Sequence, residues 1–241
     1  TKIIHIDIDP AEIGKNIGAD LPLVGDAKLV LQQMTELAKP MKHDEWIAHI
    51  KTLGGERKYV EPAKGTVNPR VFIDRLAKKM PANVTVVADV GQNQIWTCTE
   101  YKFRKEGRLL TSGGMGTMGY SVPAAIGAKM ADNSRATVAI CGDGAFQMSF
   151  MELATAVQFG VDIKVVVMTN NRLGMVRELQ TNGYHDRQTA VFLDGSPDFI
   201  KLAEAYGIPA MRVYDDDTME KGVEMLAEHK GICLVAVSYT H

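Results

Sequence analysis

The sequence predicts an α/β fold in which a doubly wound parallel sheet carries helices on both faces, preceded by a remnant of a second α/β domain. From about residue 68 onward, short apolar runs alternate with longer amphipathic stretches, which is typical of βα units. The apolar runs are rich in Val and Ile and lack clean alternation with polar residues, as strands covered on both faces require. Glycine and polar residues directly follow several of these runs, at the sheet edge where such folds bind ligands.

The first 38 residues are predicted to form the domain remnant. They contain a strand at 3–8, a short strand at 21–24 and an amphipathic helix whose N-cap is Asp26. Because Thr1 is followed at once by a strand, without an initiator Met or a leader, we expect the sequence to be an excised piece of a longer polypeptide.

A linker is predicted at residues 39–67, which are rich in Lys, Pro, Gly and Glu and hold one short helix at 44–53. Asn68 and Pro69 then predict the N-cap and first position of a helix that opens a domain spanning 68–241. Strands of this domain are predicted at 84–88, 109–111, 137–141, 163–169, 209–213 and 232–238, and further helices at 92–101, 119–131, 149–159, from 174, 198–205 and 218–229.

Composition excludes several classes of function. The 241 residues are 46% hydrophobic and 23% charged, which is ordinary for a globular protein. A net charge of −2 gives no electrostatic reason to bind nucleic acid or an anionic membrane, and no apolar run approaches the roughly 20 residues that span a bilayer. Of the three cysteines, Cys141 and Cys233 lie in or at the end of apolar strands, which predicts buried, reduced thiols and a cytoplasmic location.

A candidate metal site follows two of the predicted strands. A Gly-Asp-Gly turn at 142–144 follows one strand, and Thr-Asn-Asn at 169–171 follows the next strand along the chain. The spacing between Asp143 and Asn170 fits one helix and one returning strand, so both should emerge at the same sheet edge. A carboxylate, a carboxamide and a main-chain carbonyl near Arg172 are oxygen ligands of the kind that Mg²⁺ prefers. Neighbouring glycines allow main-chain N–H groups to approach a phosphate, so a magnesium diphosphate site is predicted.

A second glycine cluster, at 112–119, supports a competing interpretation. Gly114, Gly116 and Gly119 match the G-x-G-x-x-G fingerprint of dinucleotide-binding folds, and the acidic Asp143 follows the next strand. The preceding strand is very short, however, and the acidic residue lies in a turn better suited to a metal–phosphate pair. The glycines also have a structural interpretation, in which they allow the following helix to pack closely on the sheet.

Carboxamide side chains follow the strand 84–88 at the same edge. Gln92 and Asn93 stand at the start of a helix, where they could donate to phosphate oxygens. The alternative is that Asp89 or Gln92 simply caps this helix. The six histidines show neither ligand spacing nor a triad pattern, and most methionines are interpreted as core residues.

Taken together, these motifs resemble the thiamine-diphosphate-dependent 2-oxo acid enzymes, most closely the acetolactate synthase (acetohydroxyacid synthase) catalytic subunits. Gly142-Asp143-Gly144 with Asn170-Asn171 is similar to the cofactor signature of the superfamily. The features similar to the acetolactate synthase branch are the stretch 112–127, Asp89-Val90-Gly91-Gln92 with Trp96, Phe146-x-Met148 with Glu152-Leu153, and Leu173-Gly174-Met175-Val176-Arg177. The opening 5–15 resembles the end of the family's central domain, so the resemblance covers nearly the whole chain.

The resemblance implies a position-by-position cofactor site. It implies that Asp143, Asn170 and the main chain of Arg172 bind Mg²⁺. The diphosphate would be held by the main chain at Gly144 and Ala145 and by Gln92 and Asn93.

The organic part of the cofactor and the substrate are assigned in the same way. Gly116 would face the aminopyrimidine and Met118 would hold the cofactor in a bent shape. Met175, which would also border the cofactor, and Val176 and Leu179 would border the substrate.

Three departures from the family pattern stand out. Asn93 takes the place of the usual His, Thr169 takes the first place of the usual Asn pair, and Leu179 replaces a usual Trp.

The implied activity is condensation of pyruvate with pyruvate or 2-oxobutyrate, with loss of CO₂. The family's activating Glu lies on a separate N-terminal domain, and no such domain is found here, so the chain is expected to be inactive alone.

Glu152 is interpreted as structural, and Asp9 and Asp26 are candidates for flavin contact if FAD is bound. A homodimer or homotetramer, with or without a regulatory subunit, is implied. The alternatives are another thiamine diphosphate decarboxylase or carboligase, a non-catalytic module, and a dinucleotide binder.

Overall fold

The computed structural model describes residues 1–53 and 59–240, and the chain separates into two compact units, Thr1–Arg57 and Lys58–His241. In the first unit, strands β1 (Ile4–Asp7) and β2 (Leu21–Val24) pair in parallel. Helices α1 (Ala27–Leu37) and α2 (Asp44–Leu53) follow. The Asp26 carboxylate caps α1 by accepting from the Leu29 N–H at 3.0 Å, as predicted. The predicted boundaries at 38 and 67 stay predictions, and residues 54–58 of the predicted linker lie outside the described residues.

The second unit is a parallel sheet with helices on both faces, which confirms the predicted fold class. Its described strands follow the order β4-β3-β5-β6-β8-β7, and every neighbouring pair is parallel. The strands are β3 (Thr85–Ala88), β4 (Arg108–Thr111), β5 (Thr137–Gly142), β6 (Lys164–Thr169), β7 (Ala210–Val213) and β8 (Cys233–Ser238). The helices are α3 (Pro69–Lys79), α4 (Gln92–Glu100), α5 (Ser121–Ala131), α6 (Asp143–Gln147), α7 (Leu153–Gln158), α8 (Gly174–Gly183), α9 (Phe199–Ala205) and α10 (Asp216–Glu228).

Each face of the sheet has its own apolar core. Within β5, Val138 and Ile140 face the core formed with α3, α4 and α10, whereas Ala139 and Cys141 face the core formed with α5, α7 and α9. Both cores exclude solvent almost completely, which explains why the strands lack polar alternation. Cys141 and Cys233 are buried and unpaired, as predicted.

The chain changes direction along the sheet between β3 and β5. From β3 the chain passes through α4 to β4 on one side, and it then returns through α5 to β5 on the other side. In such sheets the crevice at the carboxyl ends of the two diverging strands is the usual ligand site. The segments that leave β3 and β5 therefore form the walls of the candidate site.

Two predicted helices differ from the structure. The helix predicted at 149–159 is present but less regular, because it opens with a short 3₁₀ turn at Phe150–Glu152 and continues as α7 from Leu153. Helix α6, which begins directly at Asp143, was not predicted. The chain leaves the helical conformation at Ser149, where φ is −144° and ψ is 11°. The helix predicted from residue 119 begins at Ser121, because Gly119 has a φ of +84° and cannot continue a right-handed helix.

Every helix in the described part of the chain is too short or too polar to cross a membrane.

Candidate functional site

A cleft lies at the carboxyl ends of β3 and β5, between the segments that leave these strands and the first turn of α8. Most of the predicted site residues line it. These are Gln92, Asn93, Met118, Asp143, Gly144, Ala145, Arg172, Met175 and Val176.

Three predicted residues lie outside this lining. Gly116 is exposed in the glycine-rich loop, with a φ of +63°. Leu179 is 62% exposed on α8, and Asn170 lies at the end of β6 next to Asp143. The structure therefore brings together the residues assigned to the metal and diphosphate, whereas Gly116 and Leu179 lie at the surface.

The Asp143 carboxylate is the most deeply buried charge in the cleft. Only 1% of the residue is exposed, and one carboxylate oxygen accepts from the N–H groups of Asn170 at 3.0 Å and Asn171 at 2.7 Å. Burial raises the pKa of Asp143, and the N–H groups of Asn170, Asn171 and Gly144 oppose that rise. No Lys, Arg or His within residues 1–53 and 59–240 forms an ion pair with it. A buried carboxylate without a positive partner is costly, and a bound cation would offset that cost.

The two asparagines after β6 have different roles. Asn171 has a φ of +53°, a left-handed conformation that Asn adopts more readily than most residues. The side-chain oxygen of Asn170 accepts a hydrogen bond from the Arg172 N–H at 3.1 Å, within the turn that follows β6. The Arg172 guanidinium donates to Asp194 and stacks on the Phe192 ring, 4.4 Å from its centroid. The main chain of both asparagines therefore bonds to Asp143, and the Asn170 side-chain oxygen lies within the turn that follows β6.

The donor chemistry at this turn suits a hard cation. No cluster of three His, Cys, Asp or Glu side chains that could hold a metal occurs in the described part of the chain. An ion here would instead use one carboxylate, one carboxamide oxygen and main-chain carbonyls, together with oxygens of a ligand or water. That combination matches Mg²⁺, which is usually bound by one or two protein side chains and by phosphate oxygens.

Asn93 and Gln92 occupy the first turn of α4 with their side chains already bonded. Asn93 is 3% exposed, and its amide nitrogen donates to the Asp89 carbonyl at 2.9 Å and to the Ile140 carbonyl at 3.1 Å. It therefore ties the ends of β3 and β5 together. The Gln92 amide nitrogen donates to the Glu178 carboxylate at 2.8 Å, while its Oε1 is buried without a partner among the described residues.

Asp89 argues against a dinucleotide site at the glycine cluster. Its carboxylate is fully buried and accepts from the N–H groups of Val90, Gly119 and Ser121 at 2.8–3.0 Å. In a dinucleotide-binding fold the corresponding helix N-terminus receives the pyrophosphate. Here the carboxylate of Asp89, the residue that follows β3, already occupies the start of α5. The alternative interpretation, in which Asp89 or Gln92 caps α4, is wrong. The N-cap of α4 is Gly91, no side chain caps the helix, and Asp89 instead bonds to the N–H groups of Gly119 and Ser121 at the start of α5.

Comparison with known proteins identifies the family of this site. The family profile described as "Thiamine pyrophosphate enzyme, C-terminal TPP binding domain" matches residues 89–237, which is more than half of the chain. The profile for the central domain of the same enzymes matches residues 1–34. The chain belongs to the thiamine pyrophosphate enzyme family. Thiamine pyrophosphate is the same compound as thiamine diphosphate, so the predicted resemblance is confirmed.

The thiamine pyrophosphate enzymes most similar to this chain include several named acetolactate synthases. The chain is 40% identical to the "Probable acetolactate synthase large subunit" of Methanocaldococcus jannaschii, covering 91% of this chain and 39% of that protein. It is 36% identical to the acetolactate synthase large subunit of Lactococcus lactis, covering 94% and 40%. It is 36% identical to the isozyme 3 large subunit of Escherichia coli, covering 99% and 43%. The chain thus spans about two fifths of the length of these relatives.

Tyr239 also lines the cleft but was missed in the sequence. It is 6% exposed and packs edge-to-face on Trp96, with ring centroids 5.1 Å apart. Burial, and secondarily the Asp143 charge, raises the pKa of Tyr239. Because Tyr239 directly follows β8, the rule that identified Asp143 and Asn170, namely polar groups just past a strand end, also applies to it.

Gly91, which lies between β3 and α4, has a conformation that other residues rarely adopt. Its φ is +146°, and a Cβ atom there would lie 2.6 Å from Asn93 Oδ1. We expect Gly91→Ala to lower the free energy of unfolding by about 2–4 kcal/mol, because the variant adds backbone strain and displaces the Asn93 side chain, which joins the ends of β3 and β5. Urea unfolding of the variant measures this effect.

The matched control is Gly127→Ala, at an exposed helical position of α5 where a Cβ meets nothing within 4 Å. That variant should be slightly more stable than the unchanged chain, by about 0.5–1 kcal/mol. Equal stability of the two variants would show that the Gly91 conformation is not required.

Proposed function

We propose that this chain is the C-terminal cofactor-binding portion of an acetolactate synthase-like enzyme. Such an enzyme condenses pyruvate with pyruvate or 2-oxobutyrate, with loss of CO₂, in branched-chain amino acid or acetoin metabolism. The observation that carries the proposal is the Asp143 carboxylate, buried at the strand edge with main-chain N–H partners and without a described ion-pair partner. The relatives named as acetolactate synthases support the choice of reaction.

The proposed cation is Mg²⁺, held by the Asp143 carboxylate, the Asn170 side-chain oxygen and the Arg172 carbonyl. The Asp143 carboxylate accepts from the main-chain N–H of Asn170 at 3.0 Å, so the two residues are adjacent at the sheet edge, which supports their assignment to one ion. The guanidinium of Arg172 is held by Asp194 and does not compete for the carboxylate.

The diphosphate is proposed to lie against the main chain of Gly144 and Ala145. A Cβ atom at Gly144 would lie 2.7 Å from Leu173 Cδ2, so this position leaves no room for a side chain. Gly144 and Ala145 both line the cleft. Gln92 borders the same space. Asn93 contributes by holding the two strand ends at a fixed distance, since both of its amide N–H groups are already used.

The remaining assignments concern the organic half of the cofactor and the substrate. When bound, thiamine diphosphate supplies the electron sink that decarboxylation of a 2-oxo acid requires. Met118, whose Cε lies 3.5 Å from the Cβ position of Gly144, is proposed to support the bent cofactor, and Gly116 to face its aminopyrimidine. On α8, Met175 borders the cofactor and the substrate, and Val176 and Leu179 border the substrate.

The intact enzyme is proposed to be a cytoplasmic homodimer or homotetramer. The relatives described as large subunits support pairing with a regulatory subunit. If FAD is bound, Asp9 and Asp26 remain the candidate contacts, although Asp9 already accepts from the Ala11 N–H and Asp26 caps α1.

Calorimetry tests the proposed cofactor. We expect thiamine diphosphate to bind only when Mg²⁺ is present, and NAD or FAD not to bind at the glycine cluster, because Asp89 occupies that helix start. Binding of NAD without metal, together with no response to thiamine diphosphate, would contradict the proposal.

An assay with pyruvate tests the expectation that the chain alone is inactive. Asp143 is the one acidic side chain among the described residues that line the cleft, and it is assigned to the metal. No second carboxylate is therefore present there to exchange a proton with the cofactor. We expect no acetolactate from pyruvate in the presence of thiamine diphosphate and Mg²⁺. Formation of acetolactate by the purified chain would refute this expectation.

A further inference from the structure

Two sets of hydrogen bonds join the segments that carry the proposed metal ligands. The first set consists of the bonds from the N–H groups of Asn170 and Asn171 to the Asp143 carboxylate. An ion bound here would draw on the same carboxylate, so the first set uses the group that the ion itself needs. A link that does not use this carboxylate would hold the spacing of the two segments when an ion binds.

Gln147 begins this second link. Its side-chain nitrogen donates to the Asp143 carbonyl at 3.3 Å and to the Ser196 hydroxyl oxygen at 3.2 Å. The orientation of the carboxamide follows from its partners, because a carbonyl oxygen can only accept and the Ser196 hydroxyl donates its one hydrogen to the Leu193 carbonyl at 2.8 Å. Each hydrogen of the Gln147 nitrogen therefore has a partner.

The segment that contains Leu193 completes the link, because it is paired with the residues that follow β6. The Leu193 N–H donates to the Asn171 carbonyl at 3.0 Å, and Phe192 forms an antiparallel bridge with Arg172. The second link thus connects the start of α6 with the turn that contains the proposed Arg172 ligand. None of the atoms in this link is a proposed ligand atom.

The spacing of ligand segments matters because divalent cations differ in size. Mg²⁺ requires oxygens at about 2.0–2.1 Å in near-octahedral geometry, whereas Ca²⁺ accepts oxygens at about 2.3–2.6 Å in more flexible arrangements. Segments held at a fixed, short spacing favour the smaller ion. Segments that are free to move apart fit the larger ion better.

We propose that Gln147 and Ser196 are positioning residues that fix the spacing between Asp143 and the Arg172 carbonyl at the value that Mg²⁺ requires. The inference rests on the proposed function, since it concerns the cation of the same site. Neither residue is among the described residues that line the cleft, so both act through the segments that they join. Loss of the Ser196 hydroxyl breaks the link at its middle and shifts the cation preference toward Ca²⁺.

Calorimetric titrations of the whole chain with thiamine diphosphate, in saturating Mg²⁺ and in saturating Ca²⁺, test this inference. For Ser196→Ala we expect the Kd measured with Mg²⁺ to rise about fivefold, the size of one hydrogen bond, and the Kd measured with Ca²⁺ to change by less than about twofold. Ser196→Thr keeps the hydroxyl and should restore the Kd measured with Mg²⁺. The matched control is Ser134→Ala, which removes an exposed hydroxyl that donates to Asp132 ahead of β5 and should leave both constants unchanged.

A double-mutant cycle tests whether the two residues act as one link. Gln147→Met removes the other half of the link and should also raise the Kd measured with Mg²⁺ more than the Kd measured with Ca²⁺. In that background, Ser196→Ala should change the Kd measured with Mg²⁺ by less than about twofold, because the link is already broken. Gln147→Met also carries the test alone if Ser196→Ala does not fold, and circular dichroism checks every variant.

Three results would overturn the inference and leave the proposed function intact. They are an equal rise of both constants in Ser196→Ala, no rise of either constant, and a full fivefold effect of Ser196→Ala in the Gln147→Met background. Failure of the unchanged chain to bind thiamine diphosphate with Mg²⁺ would overturn both the inference and the proposed function.

Discussion

Asp143→Ala is expected to weaken the binding of thiamine diphosphate with Mg²⁺ by at least about 100-fold, since loss of one partner of a buried charge pair costs about 3–5 kcal/mol. The carboxylate is the one charged side chain of the proposed metal site, and the neutral oxygens of Asn170 and Arg172 cannot replace its charge. Calorimetric titration with saturating Mg²⁺ measures the loss.

Asp217→Ala is the matched control for this variant. Asp217 is exposed in the first turn of α10, so its removal changes the same charge without touching the cleft. The control should bind with unchanged affinity. Because Asp143 also accepts from the N–H groups of Asn170 and Asn171, the fold of the alanine variant must be checked by its unfolding transition in urea. A folded Asp143→Ala variant that still binds within about threefold of the unchanged chain would contradict the metal assignment.

Asp89→Ala is expected to lower the free energy of unfolding by about 3–5 kcal/mol, because three main-chain N–H groups would lose a charged acceptor inside the protein. The N–H groups belong to Val90, Gly119 and Ser121, so the change would release the end of the glycine-rich loop from the sheet edge. Urea unfolding followed by circular dichroism measures the difference. Asp89→Asn keeps one acceptor oxygen and should lose less.

The exposed Asp217 again provides the control, with an expected change under about 1 kcal/mol. If Asp89→Ala also lowered the free energy of unfolding by less than about 1 kcal/mol, the Asp89 carboxylate would not be what holds the glycine-rich loop at the sheet edge. In that case the start of α5 would be available to a phosphate, and the argument against a dinucleotide site would fail. A Mg²⁺-independent gain of NAD binding in Asp89→Ala would be consistent with the present account, because the helix start would then be open.

The sequence was sufficient to predict the parts of the fold that depend on local pattern. Unbroken Val and Ile runs predicted the buried strands, and Asn68 followed by Pro69 predicted the start of α3, where the Asn68 side chain accepts from the N–H of Arg70. The sheet-edge rule placed Asp143 and Asn170 on neighbouring strands, and β5 and β6 are indeed adjacent.

The missed features depend on contacts between distant segments. The Gly-Asp-Gly sequence indicated only a turn, whereas the helical turn α6 starts there at Asp143, stabilised in part by a carboxylate near a helix N-terminus. The bond between Gln92 and Glu178 joins residues 86 positions apart, and the capping of the start of α5 by Asp89 spans about 30. No local propensity reports such pairings, so only the folded structure shows them.

The most direct test is a crystal structure of the chain grown with thiamine diphosphate and Mn²⁺ in place of Mg²⁺. Anomalous scattering from the ion locates it without reference to the surrounding model density. The account predicts one anomalous peak within about 2.0–2.3 Å of an Asp143 carboxylate oxygen and of the Asn170 side-chain oxygen, with diphosphate oxygens completing its coordination. An ion bound elsewhere while the diphosphate occupies the cleft, or an Asn170 side chain turned away from the ion, would contradict it.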